Sequence, residues 1–144
     1  MTLARPGTTV RFQLHISGID LGDFTACSGL GARVEVERRP EGGDDAYARP
    51  VPGRITYPNV TLSRRLTPDT AKVSRFLAKL PDQLARSSAQ ITAVTPAAPA
   101  ASGPVLATWA LREVTVVRWT GPSYDPARSE AATESIELAH HGFL

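Results

Sequence analysis

The side chains best suited to metal binding or nucleophilic catalysis are three histidines and one cysteine. His140 and His141 are neighbours in a segment with strand character, so their side chains point to opposite faces and cannot chelate one ion together. His15 lies on the polar face of another predicted strand. No histidine or acid stands at a recognisable spacing as the base for Cys27, so this thiol is interpreted as a small buried hydrophobe. We therefore expect no catalytic site, no metal site, no cofactor and no enzyme activity.

Two further patterns give only weak chemical signals. Gly29-Leu30-Gly31 lacks the third glycine and the following helix of a dinucleotide-binding loop. The acids Glu41, Asp44 and Asp45 do not have the spacing of a calcium loop and indicate a solvated, charged loop. Arginines interleave with these acids, and this pattern favours protein contacts of complementary charge over phosphate binding. The arginines are Arg38, Arg39, Arg49 and Arg54.

Length and composition indicate one globular domain over residues 1–144. A chain of 144 residues with 42% hydrophobic side chains can form its own core, and a single cysteine excludes an internal disulfide framework. The formal net charge of +2 does not indicate specific nucleic-acid binding. No apolar run has the length of a membrane span, and the amino terminus lacks the apolar core of a signal peptide. We therefore expect synthesis and assembly in the cytoplasm, without membrane insertion.

The elements that would position these residues are mostly short strands. Residues 9–16 alternate strictly between apolar and polar side chains, and similar alternation recurs in later segments joined by turn residues. Strands joined by turns rather than by helices predict a mainly β fold, an antiparallel barrel or sandwich. One flanking helix is predicted after Thr67-Pro68-Asp69, which combines a capping threonine with a proline suited to the first helical turn. Its apolar stripe, which must lie against the sheet, contains Val73, Phe76, Leu77 and Leu80.

Two segments are predicted to be loops. Residues 39–53 have no periodicity and few large apolar groups, and a loop of that length in a small domain is usually functional or disordered. Residues 95–104 are rich in proline and alanine and offer little to pack against a core. We expect an extended loop in the first segment and a Pro/Ala-rich loop in the second.

Several blocks of the sequence occur in the order of one known family. They are the alternating segment with Phe12, Leu14 and Ile16, the Glu41-Gly42-Gly43 triplet, the PGxxxYPNVTL block at 52–62 and the ELAHxG block at 137–142. From about residue 10 to residue 142, the chain resembles the tail tube proteins of contractile phage tails and phage-tail-like extracellular contractile injection systems. It departs from the family pattern in two places: its helix lacks a tryptophan, and its Pro/Ala-rich loop is longer than a typical hairpin turn.

The resemblance implies a structural inner-tube protein. The family fold is a small antiparallel β-barrel or sandwich with a flanking helix, assembled into hexameric rings that stack into a hollow conduit. The implied partners are further copies of the chain, a sheath protein, baseplate or tube-initiator proteins, and a tape-measure or effector cargo in the lumen. The implied location is an assembled injection particle, inside the cell or released from it, or a phage virion.

On this interpretation, three groups of residues acquire roles. The predicted ring-stacking loop contains Arg39, Glu41, Gly42, Gly43, Asp44, Asp45, Arg49 and Gly53. The lumen-facing candidates are Arg11, Gln13, His15, Arg33, Glu35 and Glu37. The candidates for the outer face of the helix are Lys72, Arg75 and Lys79.

Two alternative functions stay open. The first is a tube-initiator or baseplate adaptor of the same family, which would form one ring instead of many. The second is a monomeric β-barrel that binds a small ligand in its lumen, which predicts a closed barrel with an apolar cavity.

Overall fold

The structure, a computed structural model, describes residues 10–41, 44–79, 87–96, 102–122, 127 and 132–144. These ranges contain nine strands and one helix. In chain order the elements are β1 (Arg11–Ile16), β2 (Ile19–Phe24), β3 (Ala26–Ser28), β4 (Arg33–Glu41), β5 (Asp44–Thr56), β6 (Val60–Arg65), α1 (Thr70–Ala78), β7 (Ser87–Pro96), β8 (Ser102–Thr120) and β9 (Thr133–Ala139). No helix in the described ranges is long and apolar enough to cross a bilayer.

Seven of the strands form one antiparallel sheet in the order β2-β1-β7-β8-β9-β6-β3, and β4 and β5 form a separate two-stranded sheet. The long strand β8 joins the two halves of the large sheet. It pairs with β7 as far as Val114 and with β9 from Thr115 onward. Glu113 lies just before this change of partner, at an irregularity of the β7 ladder, and its φ of 52° breaks the regular extended backbone. The predicted mainly β fold with one helix is therefore confirmed.

The large sheet is bent, so that the core lies between its two halves. Alternate side chains point inward on each half, as period two requires. The predicted strand from residue 9 to 16 is confirmed, since Leu14 and Ile16 are buried on β1. The core also receives Val60 and Leu62 from β6 together with side chains from β2, β7, β8 and β9.

The sequence predicts a barrel or a sandwich, and the barrel alternative is wrong, because the described strands do not close the sheet. Among the described strands, β2 and β3 each have only one ladder partner and stand at opposite ends of the sheet order. The two ends nevertheless lie close in space, because only Thr25 separates β2 from β3 in the chain, and its backbone N–H donates to the Ser63 carbonyl oxygen of β6 at 3.0 Å. A buried arginine on β6 adds a side-chain link to β2. Arg64 donates from Nη1 to the carbonyl oxygens of Leu21 at 3.0 Å and Asp23 at 3.2 Å, both on β2. This side chain thus joins two strands that no ladder joins among the described residues.

The charge of Arg64 is balanced inside the protein. Its Nε and Nη2 lie 3.0 Å and 2.9 Å from Glu134 Oε1, on the neighbouring strand β9, and its guanidinium lies 4.1 Å from the ring centre of Phe24. Both charged side chains are about 1% exposed. A buried charge is tolerated when it is paired and hydrogen-bonded. Arg64 Nε donates to Glu134 Oε1, whereas Oε2 of Glu134 is buried without a hydrogen-bond partner among the described residues.

The helix begins two residues later than the Thr67 cap suggests. Asp69 is the N-cap residue, and the Thr67 hydroxyl accepts a hydrogen bond from the Asp69 backbone N–H. Val73 and Phe76 of the predicted stripe are buried against the core, and Leu77 is half-buried. Leu80, the last residue of the stripe, lies outside the described residues.

The segment 39–53, predicted to be an extended loop, is instead part of a β-hairpin that we call the arm. Its strands β4 and β5 pair from Arg33↔Thr56 to Glu41↔Asp44, which leaves only residues 42 and 43 between them. Every described side chain of the arm is exposed except Val51, so burial imposed no alternation on the sequence. Each strand has a free edge, and therefore prolines such as Pro50 and Pro52 need not remove a ladder hydrogen bond.

The Pro/Ala-rich loop predicted at 95–104 is shorter than expected. Strand β7 continues to Pro96 and β8 begins at Ser102, and these two residues are ladder partners. The residues between them, 97–101, lie outside the described ranges.

Replacing Gly22 with alanine should weaken the Arg64 bridge. Gly22 lies on β2 with a φ of +94°, and a Cβ there would stand 2.6 Å from Arg64 Nη1 and 2.8 Å from Asp69 Cβ. The matched control is Gly18→Ala, because Gly18 has a φ of +77° but no atom within 4 Å of the added Cβ. Strain alone should cost the control about 1 kcal/mol, and Gly22→Ala about 3 kcal/mol of unfolding free energy. Equal losses in urea denaturation would contradict this assignment.

Removing one charge of the buried pair should be far more costly than removing a half-buried charge of the same strand. Glu134→Gln leaves the guanidinium of Arg64 buried without a counter-charge, and should cost about 3–5 kcal/mol. The control Glu137→Gln changes a half-buried carboxylate of the same strand, which accepts a hydrogen bond from Asn59 at 2.7 Å. It should cost about 0–1 kcal/mol. The same denaturation measurement compares the two variants, and similar losses would show that the buried pair is dispensable.

Candidate functional site

The arm is the first candidate assembly surface, because it exposes apolar side chains on a hairpin that forms a sheet of its own. Val34 and Ile55 are ladder partners, and they are 46% and 50% exposed. Val36, two residues along β4, is 56% exposed. The side chains that alternate with these valines along β4 are also exposed, and they are those of Arg33, Glu35 and Glu37. Since successive side chains of a strand alternate in direction, residues 33–37 of β4 present one apolar face and one charged face. An exposed apolar face of this kind is typical of a protein-interaction surface.

The predicted ring-stacking residues lie along the arm rather than in a loop. Arg39 and Arg49 are ladder partners, as are Glu41 and Asp44, and Asp45 follows on β5. Gly42 and Gly43 lie outside the described residues. Gly53 lies at an irregularity of the hairpin, where an added Cβ would stand 3.1 Å from the Glu35 carbonyl oxygen. The missed signal was the Gly-Gly dipeptide, which favours a two-residue hairpin connection.

An aromatic cluster lies at the base of the arm. Tyr57 follows β5 directly, and its ring centre lies 5.4 Å from that of His140 and 5.7 Å from that of Phe143. His140 Nδ1 accepts a hydrogen bond of 3.1 Å from the Gly142 backbone N–H. Gly142 has a φ of +122°, and a Cβ there would stand 3.1 Å from the Tyr57 ring. The ELAHxG and YPN blocks of the sequence therefore meet in one packed cluster.

Open strand edges form the second candidate surface. Within the described residues, β2 and β3 each leave one edge of the large sheet without a ladder partner. The first half of β8 also has an open edge. One of its edges pairs with β7, and the other has no partner among the described residues before Ala110 and Leu111, where the carboxyl-terminal residues bind it. Val105 and Leu106 on this part of β8 are 61% and 56% exposed. Unpaired edges with exposed apolar side chains are templates for pairing with another chain.

The predicted lumen residues of β1 lie on the polar face of the large sheet. Arg11 Nη1 lies 4.0 Å from Asp23 Oδ2, and His15 Nε2 lies 3.9 Å from Asp20 Oδ1. Gln13 and His15 are ladder partners of Thr92 and Gln90, with which they line a shallow depression of about 490 Å³. Sequence reasoning missed Gln90 and Thr92, although they alternate with buried Ile91. Arg33, Glu35 and Glu37 belong to the arm, so no ladder within the subunit joins them to the β1 group.

The predicted outer-face cations of α1 lie beside β2. Lys72, Arg75 and Lys79 line a cleft of about 330 Å³ with Ile19, Asp20 and Phe76. Lys72 Nζ lies 3.0 Å from Asp69 Oδ1 and 3.9 Å from Asp20 Oδ2. The hydrogen bond and charge of Asp69, and then the charge of Asp20, raise the pKa of Lys72 above its usual value.

The residues considered for catalysis are dispersed. His140 is buried and His141 is exposed, as the alternation predicted, and His141 Nδ1 lies 3.6 Å from Glu113 Oε2. Cys27, on β3, is half-buried, and this desolvation raises the pKa of its thiol to about 11. The described residues include no group of three or more His, Cys, Asp and Glu side chains that could hold a metal ion.

Comparison with known proteins gives the family of this arrangement. The sequence model described as T4-like virus tail tube protein gp19 matches residues 8–144. No curated protein matches significantly.

The fold is similar to that of chains in three particle structures. A chain of the PVC extracellular contractile injection system, in its sheath-tube complex in the extended state, gives a TM-score of 0.71 at 18% identity, covering 96% of this chain and 88% of that one. A chain of the tube-terminating cap of the anti-feeding prophage gives 0.70 at 22% identity, with 100% and 93% covered. A chain of the six-fold symmetrised baseplate of the same prophage gives 0.67 at 16% identity, with 100% and 96% covered.

Cys27 should be a poor nucleophile in the folded protein. The thiolate is the reactive form, and with a pKa of about 11 its population rises only as the pH approaches that value. Near neutral pH the native thiol should react with a disulfide reagent roughly a hundredfold more slowly than an exposed thiol of ordinary pKa. Urea-unfolded protein provides the control, and the rates are followed by absorbance. A native rate equal to the unfolded rate would show that Cys27 is accessible and ionised.

Proposed function

Because the chain belongs to the T4-like virus tail tube protein gp19 family, we propose that it is the inner-tube subunit of a contractile, phage-tail-like injection particle. In this role hexameric rings of the subunit stack into a hollow conduit, inside a sheath and on a baseplate. The observation that carries the proposal is the arm, whose exposed valines and isoleucine have no place in the core of the subunit. A protein whose task is polymerisation needs such surfaces and needs no active site.

Ring formation uses the open edges. The interface is heterologous, so one edge of each subunit meets a different edge of its neighbour and the contacts close into a ring. The available edges are those of β2, β3 and the first half of β8. Edge pairing between subunits would join the open sheets into the ring-wide barrel that a single subunit does not form.

Ring stacking uses the arm. Its apolar face packs on the neighbouring ring and supplies affinity, and its charges set the register of the contact. The stacking residues are those of residues 39–53 together with Val34, Val36 and Ile55. The polar face of β1 and β7 lines the channel, where a wall without large apolar patches lets a tape-measure or effector cargo pass without being held.

A baseplate adaptor of the same family is the second candidate. The similarity to chains in a baseplate and in a tube-terminating cap favours it, because such chains need form only one ring. A monomeric ligand-binding barrel is not proposed, since the described strands leave the sheet open.

Electron microscopy of the purified protein tests the proposal and separates the two candidates. The wild-type chain should form rings and long tubes, alone or on its baseplate, whereas an adaptor would stop at one ring. Val34→Asp with Ile55→Asp should leave stability nearly unchanged, because both side chains are exposed, but should abolish tubes. Deleting residues 41–47 should do the same. Leu66→Asp is the control, since Leu66 is 55% exposed outside the arm and the variant should still form tubes. A wild-type chain that stays monomeric at every concentration, and with its baseplate, would refute the proposal.

Thiol labelling tests the lumen assignment. In a Cys27→Ala background, Gln13→Cys should react with a small maleimide in assembled tubes but resist a maleimide on a large polymer, because only the small reagent enters a narrow channel. Disassembled subunits should react with both reagents. Equal labelling of assembled tubes by both reagents would place the polar face of β1 on the outside.

A further inference from the structure

The cleft between α1 and β2 combines an apolar floor with a cationic rim. Ile19, at the start of β2, is 37% exposed, and with Phe76 it forms the floor. Arg75 and Lys79 are spaced by one turn of the helix, so their side chains lie on the same side of α1. The volume of about 330 Å³ accommodates one or two side chains of a docked segment rather than a folded element.

The cations of this rim are not equivalent. Lys72 is already held by Asp69 at 3.0 Å and faces Asp20 at 3.9 Å. Neither Arg75 nor Lys79 forms an ion pair with any described residue. The cleft therefore offers two unpaired positive charges beside an aliphatic side chain that water partly covers.

This chemistry selects among possible occupants. A phosphate-rich ligand such as nucleic acid would gain from the two cations but would leave Ile19 in contact with polar groups. A purely apolar segment would cover Ile19 but leave the cations unpaired. A peptide segment that carries carboxylates on either side of an aliphatic residue satisfies both parts of the cleft.

We propose that the α1–β2 cleft is the docking site for an acidic segment of the sheath protein, which places an aliphatic side chain on Ile19 and Phe76 and carboxylates on Arg75 and Lys79. The inference rests on the proposed tube function, because that function supplies a sheath as the partner of the outer wall. It adds the position and the chemistry of the contact.

The experiment measures co-sedimentation of purified sheath protein with assembled tubes. The test variant is Arg75→Gln with Lys79→Gln, which removes two positive charges from the cleft. The control is Ser74→Glu with Ala78→Glu, which changes the net charge of the same helix by the same amount on a face turned away from the cleft. Ser74 and Ala78 are exposed, so neither variant should disturb folding. The test variant should bind sheath about tenfold more weakly, as expected for the loss of two partly exposed ion pairs, and the control should bind as the wild type does.

Each other outcome counts against the proposal. Equal binding by both variants and wild type would remove the cleft from the sheath contact, and equal weakening in both variants would reduce the contact to a general charge effect. Loss of tubes in the test variant alone would assign the cleft to a second copy of this chain.

A second measurement does not depend on tubes. The soluble subunit, labelled for NMR, is titrated with a synthetic peptide of glutamates flanking leucine, and with the same peptide carrying glutamines. The acidic peptide should shift the Ile19 methyl and the amides of residues 72–79, and the glutamine peptide should not. If the wild type forms no tubes but these shifts appear, the proposed function fails while the chemistry of the cleft stands. If tubes form and the shifts are absent, the cleft proposal fails alone.

Discussion

The ion pair between Arg64 and Glu134 is the interaction on which the shape of the subunit depends. The two residues are ladder partners on β6 and β9, and the guanidinium also reaches the carbonyl oxygens of β2. It thereby fastens the free end of an open sheet to the strands that face it. A hydrogen-bonded ladder at this point would close a barrel and use up the edge of β2. The arginine instead occupies two carbonyl oxygens of β2, those of Leu21 and Asp23, and Gly22 allows its side chain to pass close to the β2 backbone.

This way of closing the core separates the residues that stabilise the fold from the surfaces that are free to contact other chains. Inside, apolar side chains from both halves of the sheet and from α1 are buried, and the only fully buried charges in the described ranges neutralise each other. Outside, the described strands β2 and β3 each have an edge without a ladder partner, and the arm exposes Val34, Val36 and Ile55. The proposed tube function requires both, because contacts made within the subunit must survive while contacts between subunits form and break. The aromatic cluster of Tyr57, His140 and Phe143 joins the two regions, because it packs the base of the arm against residues at the carboxyl end of the chain.

Much of the fold could be predicted because burial leaves a period in the sequence. Leu14 and Ile16 alternate with polar neighbours, and Val73 and Phe76 recur at helical spacing, so β1 and α1 were predicted correctly to within a few residues. The same period contained the signal for the buried pair. Arg64 continues the inward positions of β6, and Glu134 continues those of β9. The sequence analysis assigned neither of them to the core, because charged residues are rarely buried, and only the pairing of the two strands shows that they lie opposite each other.

The sequence by itself determined a single mainly β chain with one amphipathic helix, no clustered catalytic residues and the blocks of a tail tube protein. Only the tertiary structure showed which conformation each of those blocks adopts and which other segments it contacts. Residues 39–53 of the arm were mistaken for a loop. The described side chains of the arm, those of residues 33–38 and 50–56, are exposed apart from Val51, and a strand without a buried face has no reason to alternate. Likewise, whether the sheet closes depends on which strands meet at its ends. That meeting joins β2 to β6 across residues far apart in the chain, and such long-range contacts leave no local pattern from which they could be predicted.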